Sequence, residues 1–251
     1  RFKLPAKFED FIYLSQVTQM ECISDATEHW RRNKGRCNGA IYWQFNDCWP
    51  VCSWASIDFY GNYKALQYGA RHFNAPVSLC FDDDDRKASV ILLNDLNENK
   101  DVTLTCEIFD FESDKLIQSK TKKLTLEALE NKNIYTVYRK QLARRHDLKK
   151  TGIKISLECE GFEKTSKTYL FAAEKYLDLP KAKLSLKKEI KGNEIEITLR
   201  ADKFARLVRV ESSLSVLPFS DNFFDLLPGE EKTVTIRLDE AFTPEELLES
   251  I

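Results

Sequence analysis

The sequence predicts a chain of mixed class, a short α/β segment followed by two all-β sandwiches. Three observations predict it. All four tryptophans, Trp30, Trp43, Trp49 and Trp54, fall within the first 54 residues. Beyond Pro76 apolar and polar residues alternate in short runs, the period of half-buried strands. Pro180 then opens a third stretch, in which Lys191-Gly192-Asn193 is a hairpin signal between two alternating runs.

The first element is a helix. From Phe8 to Arg36 the apolar residues Phe8, Phe11, Ile12, Cys22, Ile23, Ala26 and Trp30 recur at a helical period. Glu9 and Asp10 in its first turn and Arg31, Arg32 and Lys34 near its end suit the helix dipole, and Gly35 is a stop signal. The run Ala40-Ile41-Tyr42-Trp43-Gln44-Phe45 reads as a buried strand. A loop rich in Trp, Pro and Ser follows, then a second helix from about Asn62 to Phe73 with Tyr63, Leu66, Ala70 and Phe73 on one side. Helix, strand, loop and helix is the rhythm of an α/β barrel or of a doubly wound sheet, but one strand cannot close either by itself.

Seven short strands are predicted next: Val77 to Phe81, Ala88 to Leu93, Val102 to Phe111, Lys115 to Lys122, Ile134 to Tyr138, Ile153 to Glu158 and Thr168 to Ala172. Seven strands in about a hundred residues are what an immunoglobulin-like sandwich requires. Arg139 to Lys150 is basic and has room for a helical turn between strands. In the third stretch Ala182 to Ile190, Glu194 to Ala201, Leu207 to Glu211 and Lys232 to Leu238 supply strands. Thr243-Pro244-Glu245-Glu246 looks like a helix start, with Thr as the cap and Pro in the first turn.

Composition narrows the function classes. With 43% hydrophobic and 31% charged residues the chain is folded rather than disordered. A net charge of −2 provides no field for nucleic acid or an anionic membrane, and no apolar run approaches the roughly 20 residues of a membrane span. Arg1 stands where Met would begin a gene, which suggests a piece of something longer. Cys22, Cys37, Cys48, Cys52, Cys80, Cys106 and Cys159 are odd in number and never in a Cys-x-x-Cys pair, so they read as small core residues of a reduced, cytoplasm-like compartment. The run Asp82 to Asp85 lacks the spacing and Gly turn of a calcium loop and reads as a solvated turn. His29 and His72 have no carboxylate at useful spacing, and the basic residues from Arg139 to Lys150 read as a solvated face. No metal or cofactor is expected.

The chemistry concentrates between Gly39 and Asp58. Barrel enzymes carry their functional residues at the C-terminal ends of strands, so a strand at Ala40 to Phe45 would place Trp43 through Trp54 at that face. Flat rings suit the apolar faces of sugars, and Gln, Asn and Asp orient hydroxyls. The competing reading is a tryptophan-filled core. The polar Gln44, Asn46 and Asp47 beside the rings speak against a dry one.

Here the chain resembles a known family. Glu28-His29-Trp30-Arg31-Arg32, Gly39 through Asp47, Trp49-Pro50-Val51, Ser53 through Asp58, and Tyr60-Gly61 through Lys64 resemble the last barrel strand and flanking helices of the β-mannosidases of glycoside hydrolase family 2. Ser220 through Glu230 resembles the hairpin of that family's last sandwich. The resemblance implies that residues 1–76 are the C-terminal end of a (β/α)8 barrel, 77–178 an immunoglobulin-like sandwich and 179–251 a second one. It implies a retaining, metal-free exo-hydrolase of terminal β-mannosides that works through two glutamates about 5 to 5.5 Å apart. Neither glutamate can be placed here: Glu9, Glu21 and Glu28 lie on the first helix, and Asn97-Glu98 and Asn193-Glu194 lie in sandwich loops. Both are therefore expected upstream of Arg1, the chain alone is expected to be inactive, and its partners are a β-mannoside or oligosaccharide and the missing domains of its parent. The resemblance implies that Trp43 stacks on the terminal sugar, with Asn46, Asp47 and Trp49 lining or closing the site. The rivals are a β-galactosidase or β-glucuronidase of the same family, and a non-catalytic carbohydrate-binding or scaffold module.

Overall fold

The computed structural model describes residues 1–214, 217–238 and 241–251. The chain divides into two compact units: Arg1–Leu4, Cys22–Ile41 and Ala70–Leu179 form the first, and Pro5–Glu21, Tyr42–Gly69 and Pro180–Ile251 the second. Helix α1 (Phe8–Arg32) is long enough to contribute to both, and α2 (Ala65–Phe73) follows the aromatic loop.

The first unit is built on seven strands, β1 (Val77–Asp83), β2 (Lys87–Asn94), β3 (Lys100–Asp110), β4 (Leu116–Leu126), β5 (Asn131–Tyr138), β6 (Thr151–Cys159) and β7 (Thr165–Leu170). They form one sheet in the order β1-β2-β5 and another in the order β4-β3-β6-β7, every pairing antiparallel. The strict alternation of Val102, Leu104, Cys106 and Ile108 turns one face of β3 inward against Ile153, Ile155 and Leu157 of β6 and Val90 and Leu92 of β2. Each such aliphatic side chain contributes about 1.5–3 kcal/mol by leaving water. The edge strand β4 exposes Lys120, Lys122 and Lys123, charges that discourage pairing with a further strand. The basic stretch after β5 does open with a helical turn, α3 (Arg139–Ala143). Gly152 is dictated by packing, because a Cβ there would lie 2.6 Å from Cζ of Phe109.

Arg31 makes the largest set of bonds that fasten the end of α1 to this sandwich. All five N–H donors of the Arg31 guanidinium are used: Nε and Nη2 on Asp95 Oδ2 at 3.0 and 2.7 Å, Nη1 on the Phe73 carbonyl and Ser78 Oγ, and Nη2 also on the Ala75 carbonyl. Lys34 adds a second cation to Asp95 at 2.6 Å, and Asn131 Nδ2 donates to the Arg31 carbonyl. One turn earlier, buried Glu28 pairs with Lys167 of β7. The planar fork of Arg is what lets one residue satisfy loop carbonyls and a carboxylate together.

In the second unit β8 (Leu184–Lys191), β9 (Glu194–Ala201) and β12 (Glu231–Arg237) form a sheet with β9 central, and β10 (Ala205–Val208) pairs with β11 (Phe224–Leu226). Lys191, Gly192 and Asn193 turn β8 into β9 with Gly192 at φ +61, as the hairpin signal predicts. Helix α4 (Pro244–Ser250) starts in a capping box, Thr243 Oγ1 accepting from Glu246 N and the Glu246 carboxylate accepting from Thr243 N. The motif Ser220 to Glu230 folds as a clasp. Asn222 brackets the backbone of Val210 through both of its amide atoms, Asp225 accepts from Leu207 N and pairs with Arg206, and Arg206 reaches Glu21 of α1 at 2.5 Å. Phe223, at φ +56, lies between Tyr13 and Tyr68, with ring centroids 6.0 Å from each. Burial pushes both of those phenols up to about 12, and the Tyr13 hydroxyl donates to the Leu207 carbonyl.

Three expectations change. Residues 40–45 form no strand: Ile41 is 99% exposed, and the run finds no sheet among the described residues. An apolar sequence can prefer the extended state, but a strand exists only where a neighbour supplies its hydrogen bonds. The cysteines are all free thiols, yet only Cys80 and Cys106 are buried. Those two are core residues whose thiols burial pushes up to about 11 and about 12; Cys22, Cys48 and Cys52 are exposed. The second helix begins at Ala65 rather than near Asn62, because residues 58–64 are held in a turn.

Replacing Arg31 by Ala removes five hydrogen bonds, those to the Phe73 and Ala75 carbonyls, to Ser78 Oγ and the two to Asp95. Arg31→Ala is expected to lower stability by about 2–4 kcal/mol in urea titration, and a loss under about 1 kcal/mol would show the fastening to be dispensable.

Candidate functional site

The aromatic loop is extended backbone stitched to itself. Ser56 N donates to the Gln44 carbonyl, Ile57 N to that of Phe45 and Asp47 N to that of Ile57, each at 3.0 Å. Asn46 and Ile57 thereby make a parallel bridge, and Ile57 makes an antiparallel one with Tyr63. Buried Ser56 fixes the crossing, its Oγ bonding the Phe45 carbonyl at 2.7 Å and Gln67 Oε1 at 2.8 Å. Helix α1 holds the same module from its side: Gln19 Nε2 donates to the Trp54 carbonyl at 2.6 Å, and Gln16 Oε1 accepts from Ala65 N. Asp58 closes the turn before α2 by accepting from the Tyr60 and Asn62 amides.

On this scaffold the rings point outward. Trp43 is 71% exposed, Trp49 61% and Trp54 59%, and Phe45 and Tyr60 are exposed as well. The core-filling reading of the tryptophans does not describe them. The peptide bond between Trp43 and Gln44 is cis. Asn46 is exposed beside Trp43, with Nδ2 donating to the Asp47 carbonyl at 3.2 Å, and Gln44 Nε2 donates to the Asn46 carbonyl.

Asp47 differs from the other candidates. It is 5% exposed, and both carboxylate oxygens are engaged: Oδ1 accepts from Ser53 Oγ at 2.5 Å and Oδ2 from Lys64 Nζ at 3.2 Å. Lys64 also reaches the Ser53 carbonyl at 3.4 Å, and Ser53 Oγ accepts from Ala55 N at 3.0 Å. The hydroxyl of Ser53 first, then Lys64, hold the Asp47 carboxyl below the usual carboxylate range against the opposing effect of burial. Its geometry is that of a brace for the loop. Trp43, Asn46 and Trp49 are thus brought to an open surface, and Asp47 is placed beneath it. Ser53, Ser56, Lys64 and Gln67 carry no role in the sequence reading. The one available signal was the need of buried polar groups for partners, which singled out the loop without naming the pairs.

Elsewhere, within the first unit, a concavity of about 690 Å³ is lined by Thr103, Lys123, Glu158, Phe162 and Lys164 among others, and contains none of the candidate residues. Two of its charged groups, Glu158 and Lys164, pair with each other at 2.8 Å. Among the described residues no group of three or more His, Cys, Asp and Glu could hold a metal ion, and no helix is long and apolar enough to cross a membrane.

Both sandwiches belong to recognised domain types. Residues 86–176 match the mannosidase Ig/CBM-like domain, and residues 179–251 match the Ig-fold domain of mannosidases. Over 242 residues the chain is 29% identical to the β-mannosidase of Mus musculus, a match covering 89% of this chain and 28% of that protein. Over 149 residues it is 34% identical to the β-mannosidase of Bos taurus, covering 54% and 17%. The crystal structure of a β-D-mannosidase from Dictyoglomus thermophilum superposes on 98% of the chain with a TM-score of 0.82 at 27% identity, this being 29% of that molecule. An exo-chitosanase from Amycolatopsis orientalis shares the fold, with a TM-score of 0.71 at 22% identity over 94% of the chain. The chain spans less than a third of the length of these relatives. It belongs to glycoside hydrolase family 2 and corresponds to the C-terminal portion of its β-mannosidases.

The Asp47 brace has a definite pH dependence. A carboxyl lowered on folding stabilises the loop fully above its unfolded value of about 4, and that contribution is lost as pH falls through the lower folded value. Tryptophan emission followed from pH 7 to pH 2 should therefore show a transition below pH 4 that is missing in Asp47→Asn. Identical acid profiles for the two proteins would contradict the brace.

Proposed function

We propose that this chain is the C-terminal part of a retaining exo-β-mannosidase that cleaves terminal β-D-mannosides, and that it contributes one wall of the sugar site. In this reading residues 1–76 complete a (β/α)8 barrel, residues 77–178 and 179–251 are its two accessory sandwiches, and both catalytic glutamates belong to the remainder of the parent. The observation that carries the proposal is the set of exposed rings on a hydrogen-bonded loop. A ring with most of its face in water, fixed on a stitched backbone, is arranged to receive the apolar face of a pyranose at little ordering cost.

Trp43 is assigned the stacking role, with Asn46 orienting a hydroxyl and Trp49 bordering the site. Asp47 holds the loop from below and makes no sugar contact. The similarity to β-mannosidases supports the substrate class. The partners are then the mannoside and the other domains of the same parent, and the isolated chain hydrolyses nothing.

The test is hydrolysis of a panel of nitrophenyl glycosides by the longer protein. Cleavage of the β-mannoside in preference to the β-galactoside and β-glucuronide is expected. Trp43→Ala should lower kcat/KM by about tenfold or more, the factor that about 1.4 kcal/mol of lost stacking represents. Preference for another glycoside would reassign the specificity within the family. Full activity of Trp43→Ala would remove the ring from the site, and sugar binding without any hydrolysis would favour a non-catalytic module.

A further inference from the structure

We infer that Lys64 is the positioning residue of the aromatic loop: its ammonium sets the path of residues 47–54, and with it the places of Trp49 and Trp54. That a pyranose is what meets those rings rests on the function proposed above; the positioning itself does not.

The argument begins with what the loop lacks. Cys48, Trp49, Pro50, Val51 and Cys52 are all exposed and lie in no regular element. Their apolar side chains gain nothing from a core, so something else must define where they run. The two ends of the stretch meet in one polar cluster. Asp47 Oδ1 takes the Ser53 hydroxyl at 2.5 Å, and Lys64 reaches Asp47 Oδ2 at 3.2 Å and the Ser53 carbonyl at 3.4 Å. A single ammonium therefore holds both ends, while Ser53 ties them to each other.

Lys64 is suited to this task because its own backbone is fixed. Its N–H donates to the Ser56 carbonyl at 2.9 Å, and its carbonyl accepts from Gln67 N at 3.0 Å, immediately before α2. The side chain is 16% exposed and that of Asp47 is 3% exposed, so the pair lies beneath the loop, shielded from the screening that makes surface pairs weak. Without Lys64, Asp47 keeps one hydroxyl for a buried negative charge. Such a carboxylate moves toward water and draws the backbone at residue 47 with it. The Trp54 carbonyl stays tethered to Gln19. The displacement should therefore be greatest at Trp49.

The experiment compares this chain with Lys64→Met, which keeps the stem and loses the charge, and with Lys64→Arg, which restores the charge. Amide hydrogen exchange at Asp47, Ser56 and Ile57 should rise at least tenfold in Lys64→Met, with greater quenching of tryptophan emission by acrylamide. Both should return toward the starting values in Lys64→Arg. Exchange in β8, β9 and β12 should stay unchanged. Unaltered exchange and quenching in Lys64→Met would overturn the inference. Faster exchange throughout β9 and β12 would also overturn it, by showing a general stabilising role. If the longer protein cleaves no mannoside, the sugar reading fails and the exchange result still decides the role of Lys64.

Discussion

The supply of backbone hydrogen-bond partners shapes this chain more than any single contact. Residues 40–45 have the composition of a buried strand, and no strand among the described residues pairs with them. From the end of that run onward the backbone finds other partners: Gln44, Phe45 and Asp47 bond to Ser56 and Ile57, and Ile57 bridges to Tyr63. The loop is ordered because it stitches to itself, and the rings stand out because that stitching leaves no second layer to cover them. Ile41, Trp43 and Phe45 are exposed because no second layer covers them, not because the sequence is polar.

Elsewhere the polar residues act as fasteners between elements that hydrophobic burial has already brought together. At one end of α1, Arg31 satisfies the carbonyls of Phe73 and Ala75, the Ser78 hydroxyl and the Asp95 carboxylate, and Arg206 joins Glu21 and Asp225 near its middle. Asp47 with Lys64 repeats the device at smaller scale. At Arg206 and Lys64 the cation meets a carboxylate with little exposure, so removing a partner leaves a buried charge poorly compensated, whereas Asp95 is partly exposed and Arg31 holds through the number of its hydrogen bonds. A sugar platform needs the same rigidity, since a ring ordered in advance loses less on binding.

Much of the β architecture was legible because alternation is a local signal. Strand β9 runs over Glu194–Ala201, the bounds its alternation predicts, and the capping box at Thr243 can be read from four residues. Strand β11 was not legible, because three residues, Phe224–Leu226, are too few to show a period and their place depends on side-chain bonds, Asp225 accepting from Leu207 N and neighbouring Asn222 donating to the Val210 carbonyl. Cysteine burial was misread for a related reason. Cys80 and Cys106 sit in strands and are buried, whereas Cys48 and Cys52 sit beside tryptophans that proved to be surface residues. At the candidate site the loop was identifiable from its residue types, but the roles within it were not. Trp43 and Asp47 are four residues apart, and only the partners of Asp47, supplied by Ser53 and Lys64, place one above the surface and the other beneath it.

In the function proposed above, residues 40–45 become a strand when the barrel of the longer protein supplies their neighbours. Amide exchange at these residues, compared between this chain and a longer protein carrying the upstream part of its relatives, tests this most directly. The account predicts rapid exchange here and at least a hundredfold slowing in the longer protein. Equally rapid exchange in both, or strong protection already present in this chain, would contradict it.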